Sequence, residues 1–352
     1  MLPDDFNKRL ILFGAGGLGR RIARGLKHAG VTPLAFCDNN RKLWGEQVED
    51  IPIMSPAAAV QTFPQAVFMV CIWHPSQTDG LLSRMNELRT LGCHEVVTFI
   101  PLLRKYPELF LPNLFWDSPA FFQGQTAGID AARALLDQPG KMEFDRQLNF
   151  RTSGDPCSLA APVEGPQYFP SDVISLRADE VFVDCGAYTG DTIQDFLAVS
   201  KGRYQRIIAL EPDERNLRAL LDSIGDARIR TLPYAAGAKR EVLLMSSSGA
   251  SSAVCAQGDI EVQCATLDEL LDDEAPTFIK MDIEGSEIDA LRGGAATIRR
   301  CSPKLAVSVY HRPDDLWKIP LLLKELLPNS KLTLRSHMLD GFDTVCYCIP
   351  KD

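Results

Sequence analysis

Apolar positions along this chain fall into two alternating rhythms. Short continuous runs (KRLILF, TPLAFCD, QAVFMVCI and HEVVTFI) predict strands buried on both faces. Between them, apolar residues recur at helical spacing, as in GLGRRIARGLKHAG, where Leu18, Ile22 and Leu26 form one stripe. SPAAAVQTF and DGLLSRMNELRTLG read as two further helices. Residues 1–110 therefore predict a parallel sheet covered by helices, a Rossmann-like α/β domain. Residues 111–175 lose the alternation and read as a connector: helical stretches at GIDAARALLDQ and MEFDRQLNFR, then the loop-rich TSGDPCSLAAPVEGPQYFP. From 176 to 352 the alternation returns, with strands at EVFVDC, QRIIALE, ARIRTLPY, PTFIKMD, PKLAVSVY, SKLTLRSH and FDTVCYCI. The helix DERNLRALLDSI carries Leu217, Leu220, Leu221 and Ile224 at i, i+3, i+4 and i+7. Little more than HMLDGFD separates the last two strands, too short for a crossover helix, so they pair antiparallel.

Two loops between a strand and a helix carry the glycines. In GAGGLG, Gly14, Gly16 and Gly19 have the G-x-G-x-x-G spacing, with Asp38 at the end of the following strand. That pattern suits a nucleotide: phosphates over the loop, assisted by Arg20 and Arg21, and a ribose on Asp38. NAD and a nucleotide sugar both fit. No convincing hydride-transfer constellation, of the Tyr-x-x-x-Lys or Cys/His kind, follows in this half, which favours substrate binding or scaffolding over hydride transfer. In VFVDCGAYTGDT the spacing is Gly186-x-x-x-Gly190, and Asp184 precedes the loop. An acid there repels a pyrophosphate and welcomes a cationic amino group. Glu211, at the end of the next strand, suits the two hydroxyls of a ribose. A ligand with a ribose, a positive charge and no phosphate satisfies both, and S-adenosylmethionine is such a ligand.

VFVDCGAYTGDT, ALEPDERN, TLDELL, FIKMDIEGSEIDALRGG and SVYHRPDDLW together resemble the FkbM-type S-adenosylmethionine-dependent methyltransferases, over residues 165–350. The resemblance implies a seven-stranded class I sheet ending in an antiparallel hairpin. It places Asp184, Gly186 and Gly190 around the methionine part of the cofactor, Tyr188 as a further wall of that pocket, and Glu211 on the ribose. It implies O-methylation of a hydroxyl on a sugar, a glycan precursor or another small metabolite. Tyr234 stands where many members carry a polar residue. FCDNNRKLWG…VEDIPIMSP is similar to Rossmann-like domains found ahead of sugar acyltransferases and methyltransferases, where the ligand is often a nucleotide sugar.

Methyl transfer from a sulfonium needs no acid for the leaving group, only alignment and removal of the acceptor's proton. His311, at a carboxyl strand end, is the candidate base or acceptor-orienting group, and Asp282 orients the acceptor or faces the sulfonium. Lys280, inside an apolar strand, requires a counter-charge and reads as an ion-pair partner. Glu284 and Glu287 open the next helix. Asp282 and Glu284 lack a third ligand in the linear motif, so no metal is assigned. A formal charge of -9 opposes nonspecific nucleic-acid binding, and no apolar run is long enough to span a membrane. The N-terminal MLPDDFNKRLILFGAGG does not read as a signal peptide. The 10 cysteines form no Cys-x-x-Cys pair and sit mostly in apolar runs, so packing in a reducing, cytoplasmic compartment is expected. Two other classes remain at this level: an NAD-dependent oxidoreductase acting on a nucleotide sugar, and a non-catalytic sensor of S-adenosylmethionine or a nucleotide. The partner expected is a small-molecule or glycan acceptor, and the oligomeric state is not encoded.

Overall fold

The strands expected from continuous apolar runs all form, and short ones appear between them. A computed structural model describes residues 2–246, 258 and 260–351. The chain divides into two compact units, each assembled from three stretches. One comprises residues 1–124, 146–162 and 338–342; the other comprises 125–145, 163–337 and 343–352.

The first unit holds β1 (Leu10–Phe13), β2 (Ala35–Cys37), β3 (Gln47–Val48), β4 (Ile51–Met54), β5 (Val67–Val70) and β6 (Glu95–Thr98). Their order is β3-β4-β2-β1-β5-β6, parallel except where β3 meets β4. β1 and β5 are buried along their whole length, as their unbroken apolar runs require. The β3–β4 hairpin was not expected. Its two turn residues, Glu49 and Asp50, both take positive φ, a conformation that Gly or Asn usually announces.

The second unit is built on β7 (Val181–Cys185), β8 (Arg206–Leu210), β9 (Ile229–Leu232), β13 (Phe278–Met281), β14 (Lys304–Ser308), β15 (Ser330–Ser336) and β16 (Thr344–Pro350). The order is β15-β16-β14-β13-β7-β8-β9. β16 runs antiparallel to both β14 and β15, which is the terminal hairpin expected from the short connection. The strand order reverses between β7 and β13, and this is where an open α/β sheet splays its loops apart to admit a ligand. Under the sheet, Phe169, Phe182, Phe196 and Phe278 pack together, with Phe182 stacked on Phe196 at 4.6 Å. A separate three-stranded sheet, β10 (Ala235–Ala236), β11 (Glu241–Met245) and β12 (Ile260–Ala265), follows β9 in the chain. Sequence reading passed over it because β10 has two residues and β11 is largely exposed.

The described cysteines are all free: Cys37, Cys71, Cys93, Cys185, Cys264, Cys346 and Cys348 are buried, Cys301 is half-buried and Cys157 exposed. Cys255 lies outside the described residues. Among those residues, no helix is long and apolar enough to cross a membrane.

Candidate active site

β7 and β13 lie side by side, and their register sets Asp184 opposite Lys280. Asp184 is fully buried, and its Oδ1 lies 2.9 Å from Lys280 Nζ. The expected counter-charge for Lys280 is therefore Asp184. Burial pushes the Asp184 carboxyl up to about 6 against the pull of Lys280. The Lys280 ammonium is held above its usual range, where Asp184 and Asp282 outweigh the cost of burial. At neutral pH both are charged. Lys280 Nζ also donates to Gly186 O at 2.8 Å and sits 5.1 Å from the Tyr168 ring, so this pair holds the glycine loop from below. Asp184 thus supports the Gly186–Gly190 loop from the interior, through Lys280.

In the loop, Gly186 has φ +81°, and a Cβ there would stand 2.1 Å from Asp282 O. Only glycine permits that approach between the two strand ends. Tyr188 also has positive φ (47°), and its N–H donates to Glu211 Oε2 at 2.9 Å. Gly190, at φ +95°, precedes the helix Asp191–Ser200. Glu211 follows β8 and is buried, which raises its carboxyl despite the donors around it. Its Oε1 accepts from Asp213 N at 2.9 Å and Asn216 Nδ2 at 3.3 Å. One acceptor direction is left, on Oε2. The carboxylate expected to take both ribose hydroxyls already accepts one bond from the loop and two from the start of the helix that follows Glu211.

Across the switch point, Asp282 follows β13. Its Oδ2 accepts from Tyr168 Oη at 2.7 Å, and its Oδ1 from Tyr310 Oη at 3.4 Å. Burial alone would raise this carboxyl; His311, Lys280 and the Tyr168 bond overcome it and hold the group below its usual range. His311 is buried, with Nδ1 2.8 Å from Glu287 Oε1 and Nε2 facing Asp282 Oδ1 at 3.2 Å and Glu284 Oε2 at 3.9 Å. Glu287 Oε1 also accepts from Ile283 N at 2.9 Å, which ties the DIEG turn to the helix Glu287–Gly293. Burial would lower the imidazole, yet Glu287, Asp282 and Glu284 raise it to about 10. At neutral pH it carries both protons, so in this state His311 has no lone pair for a base and is suited to orientation. Glu284, at φ +54°, is pushed up to about 7 by burial, against the pull of His311, close to where a proton acceptor works best.

The fold brings Asp184, Gly186, Tyr188, Gly190 and Glu211 to one side of the switch point and Asp282 and His311 to the other. Tyr168 was missed, because its segment reads as plain loop. Gln167 Nε2 donates to Tyr168 Oη, and Tyr347 donates to Gln167 O, which anchors that loop to β16.

In the first unit, Gly14 has φ +111°, and a Cβ on Gly19 would lie 1.9 Å from Gly14 O, so both glycines serve the turn itself. Gly16 and Gly17 face open space. Asp38 accepts from Ala15 N at 2.8 Å and Asn40 N at 2.7 Å. Its carboxylate closes the loop.

Residues 184–338 match the family model described as the Methyltransferase FkbM domain. This stretch is a methyltransferase FkbM domain. The crystal structure of methyltransferase FkbM from Methylobacillus flagellatus KT is similar over 99% of this chain and 94% of its own, at 25% identity and a TM-score of 0.79. Precorrin-6y C5,15-methyltransferase from Geobacter metallireducens GS-15 overlaps 49% of this chain and 80% of its own, at 14% identity and a TM-score of 0.31. UDP-D-quinovosamine 4-dehydrogenase from Vibrio fischeri overlaps 25% of this chain and 75% of its own, at 20% identity and a TM-score of 0.22. Overlaps as loose as these last two carry no argument. No curated protein matches the chain. Family and fold together support a methyltransferase.

Proposed function

We propose that this chain transfers a methyl group from S-adenosylmethionine to a hydroxyl of a sugar, a glycan precursor or another small metabolite. The observation that carries the reading is the Gly186–Gly190 loop, bonded to Glu211 and packed against Asp282 across the β7–β13 switch point. A ribose fits the free direction on Glu211. A sulfonium fits an acidic floor. In the reaction the C–S bond breaks as the C–O bond forms, and the sulfur leaves neutral. Asp282, fixed by Tyr168 and His311, orients the acceptor hydroxyl, and the hydroxyl proton passes to Glu284. The acidic chain suits a small or glycan acceptor over a nucleic acid. The first-unit loop, with room over Gly16 and Gly17, we assign to holding part of a nucleotide-containing substrate, with Asp38 shaping it. The compartment we assign is the cytoplasm.

The test is calorimetric titration of S-adenosylhomocysteine into ligand-free protein. Saturable binding is expected, weakened about 10-fold or more in Glu211→Ala, since a lost hydrogen bond to a charged group costs roughly 1.5–3 kcal/mol. Glu284→Gln should bind S-adenosylhomocysteine as the native chain does and lose about 10²- to 10⁴-fold in kcat with an accepted sugar. Absence of binding to folded native protein sinks the proposal.

A further inference from the structure

We propose that Asp282, Glu284 and His311 Nε2 bind one divalent ion of the Mn²⁺ or Zn²⁺ class at the carboxyl end of β13. The third ligand missing from the linear motif arrives here from the end of the next strand. His311 is 2% exposed at its side chain, and its buried Nε2 makes no hydrogen bond. It faces Asp282 Oδ1 at 3.2 Å and Glu284 Oε2 at 3.9 Å, an attraction without hydrogen-bond alignment. Ligand atoms sharing one ion through bonds of about 2.0–2.2 Å stand roughly 3–4 Å apart, and both distances from Nε2 fall in that range.

The surroundings are those of a metal ligand. His311 Nδ1 lies 2.8 Å from Glu287 Oε1, the carboxylate–histidine arrangement that fixes the tautomer and aims Nε2 at an ion. Glu287 is itself fixed by Ile283 N and by burial, so it orients the imidazole without needing to touch the ion. Asp282, Glu287 and His311 each bring a possible ligand atom within 4.8 Å of the others. The neighbouring buried cation, Lys280, is already opposed by Asp184. Asp315 and Asp343 add further buried carboxyl groups around His311. One imidazole with two carboxylates suits Mn²⁺ or Zn²⁺ better than the all-oxygen sets of Ca²⁺. The ion takes the place of the Nε2 proton.

In its use, the site rests on the methyl-transfer reading: an acceptor hydroxyl on the ion becomes more acidic, and its proton leaves to the uncoordinated oxygen of Glu284. The binding itself is tested with metal alone. Mn²⁺ titrated into chelator-stripped native protein, followed by electron paramagnetic resonance, should show one equivalent bound. Pulsed measurement on that sample should show coupling to a single imidazole nitrogen. Affinity should fall at least 10-fold in Asp282→Asn and by 10- to 100-fold in Glu287→Gln, with unchanged circular dichroism. No saturable binding of Mn²⁺ or Zn²⁺, or bound Mn²⁺ without nitrogen coupling, overturns the site. S-adenosylhomocysteine titrated into the stripped protein separates the two ideas. Binding there with no metal bound leaves methyl transfer standing and removes the ion. Metal bound with no S-adenosylhomocysteine removes the methyl-transfer reading alone.

Discussion

His311 and His337 are both buried imidazoles in the second unit, and their neighbours drive them in opposite directions. His337 bonds to Tyr347 Oη through Nε2 at 2.8 Å, and burial lowers it to about 4. His311, with carboxylates at both nitrogens, stays protonated. For His337 the unfolded chain binds its proton near pH 6.5 and the folded chain near 4. Between those values the unfolded state holds more protons, so stability falls as the pH drops through the window. The full effect is on the order of 3 kcal/mol. His337→Gln, which keeps a partner for Tyr347, should lose correspondingly less stability than the native chain between pH 6.5 and pH 4. Urea unfolding at the two values measures it, and equal losses would refute the assignment. Both histidines stand out in the sequence at strand ends. Their charge states do not, because Glu287 lies 24 residues from His311 and reaches it only through the fold.

At the scale of elements, the pairing of β7 with β13 sets the site. The need of Lys280 for a counter-charge is legible from one lysine in an apolar run. Which acid answers it was decided by register across two strands almost a hundred residues apart in the chain. Lys280→Met leaves Asp184 buried without its partner and should cost about 3–5 kcal/mol in denaturant unfolding. Asp184→Leu with Lys280→Met should recover much of that, since a packed apolar pair often replaces a buried ion pair at little cost. The double variant still lacks the Lys280 bond to Gly186 O, so its affinity for S-adenosylhomocysteine should stay reduced. Full recovery of binding would show that the pair serves stability alone. Among the elements missed by sequence reading, the β3–β4 hairpin and the β10–β12 sheet each contain one strand of two residues, too few positions to show a period.

At the scale of the molecule, each unit gathers stretches that are far apart in the chain. Within the second unit the helix Thr126–Leu135 packs on the helix Asp315–Leu326, with Gly128 against Trp317. Leu136 bridges to Leu332, and Asp137 N donates to Leu332 O at 3.0 Å. A fragment of residues 163–352, which carries the whole seven-stranded sheet, leaves the faces of Trp317 and Leu332 uncovered. Loss of buried Ile129 and Leu136 alone removes about 3–6 kcal/mol. That fragment should bind a hydrophobic dye and melt well below residues 125–352; equal melting temperatures would show that the helix contributes nothing to the unit.

Local periodicity carried the two α/β halves, the seven strands in order, the terminal hairpin and both glycine loops, because each rests on residues adjacent in the chain. The family resemblance rested on such contiguous motifs too. Tertiary structure alone decided that Asp184 turns inward to Lys280 and that Glu211 accepts a bond from Tyr188 N in the loop. It also decided that Tyr168 reaches Asp282 and that His311 stands among carboxylates. These follow from strand register and from loops meeting at the switch point, where side chains remote in sequence come within hydrogen-bond distance and set one another's charge.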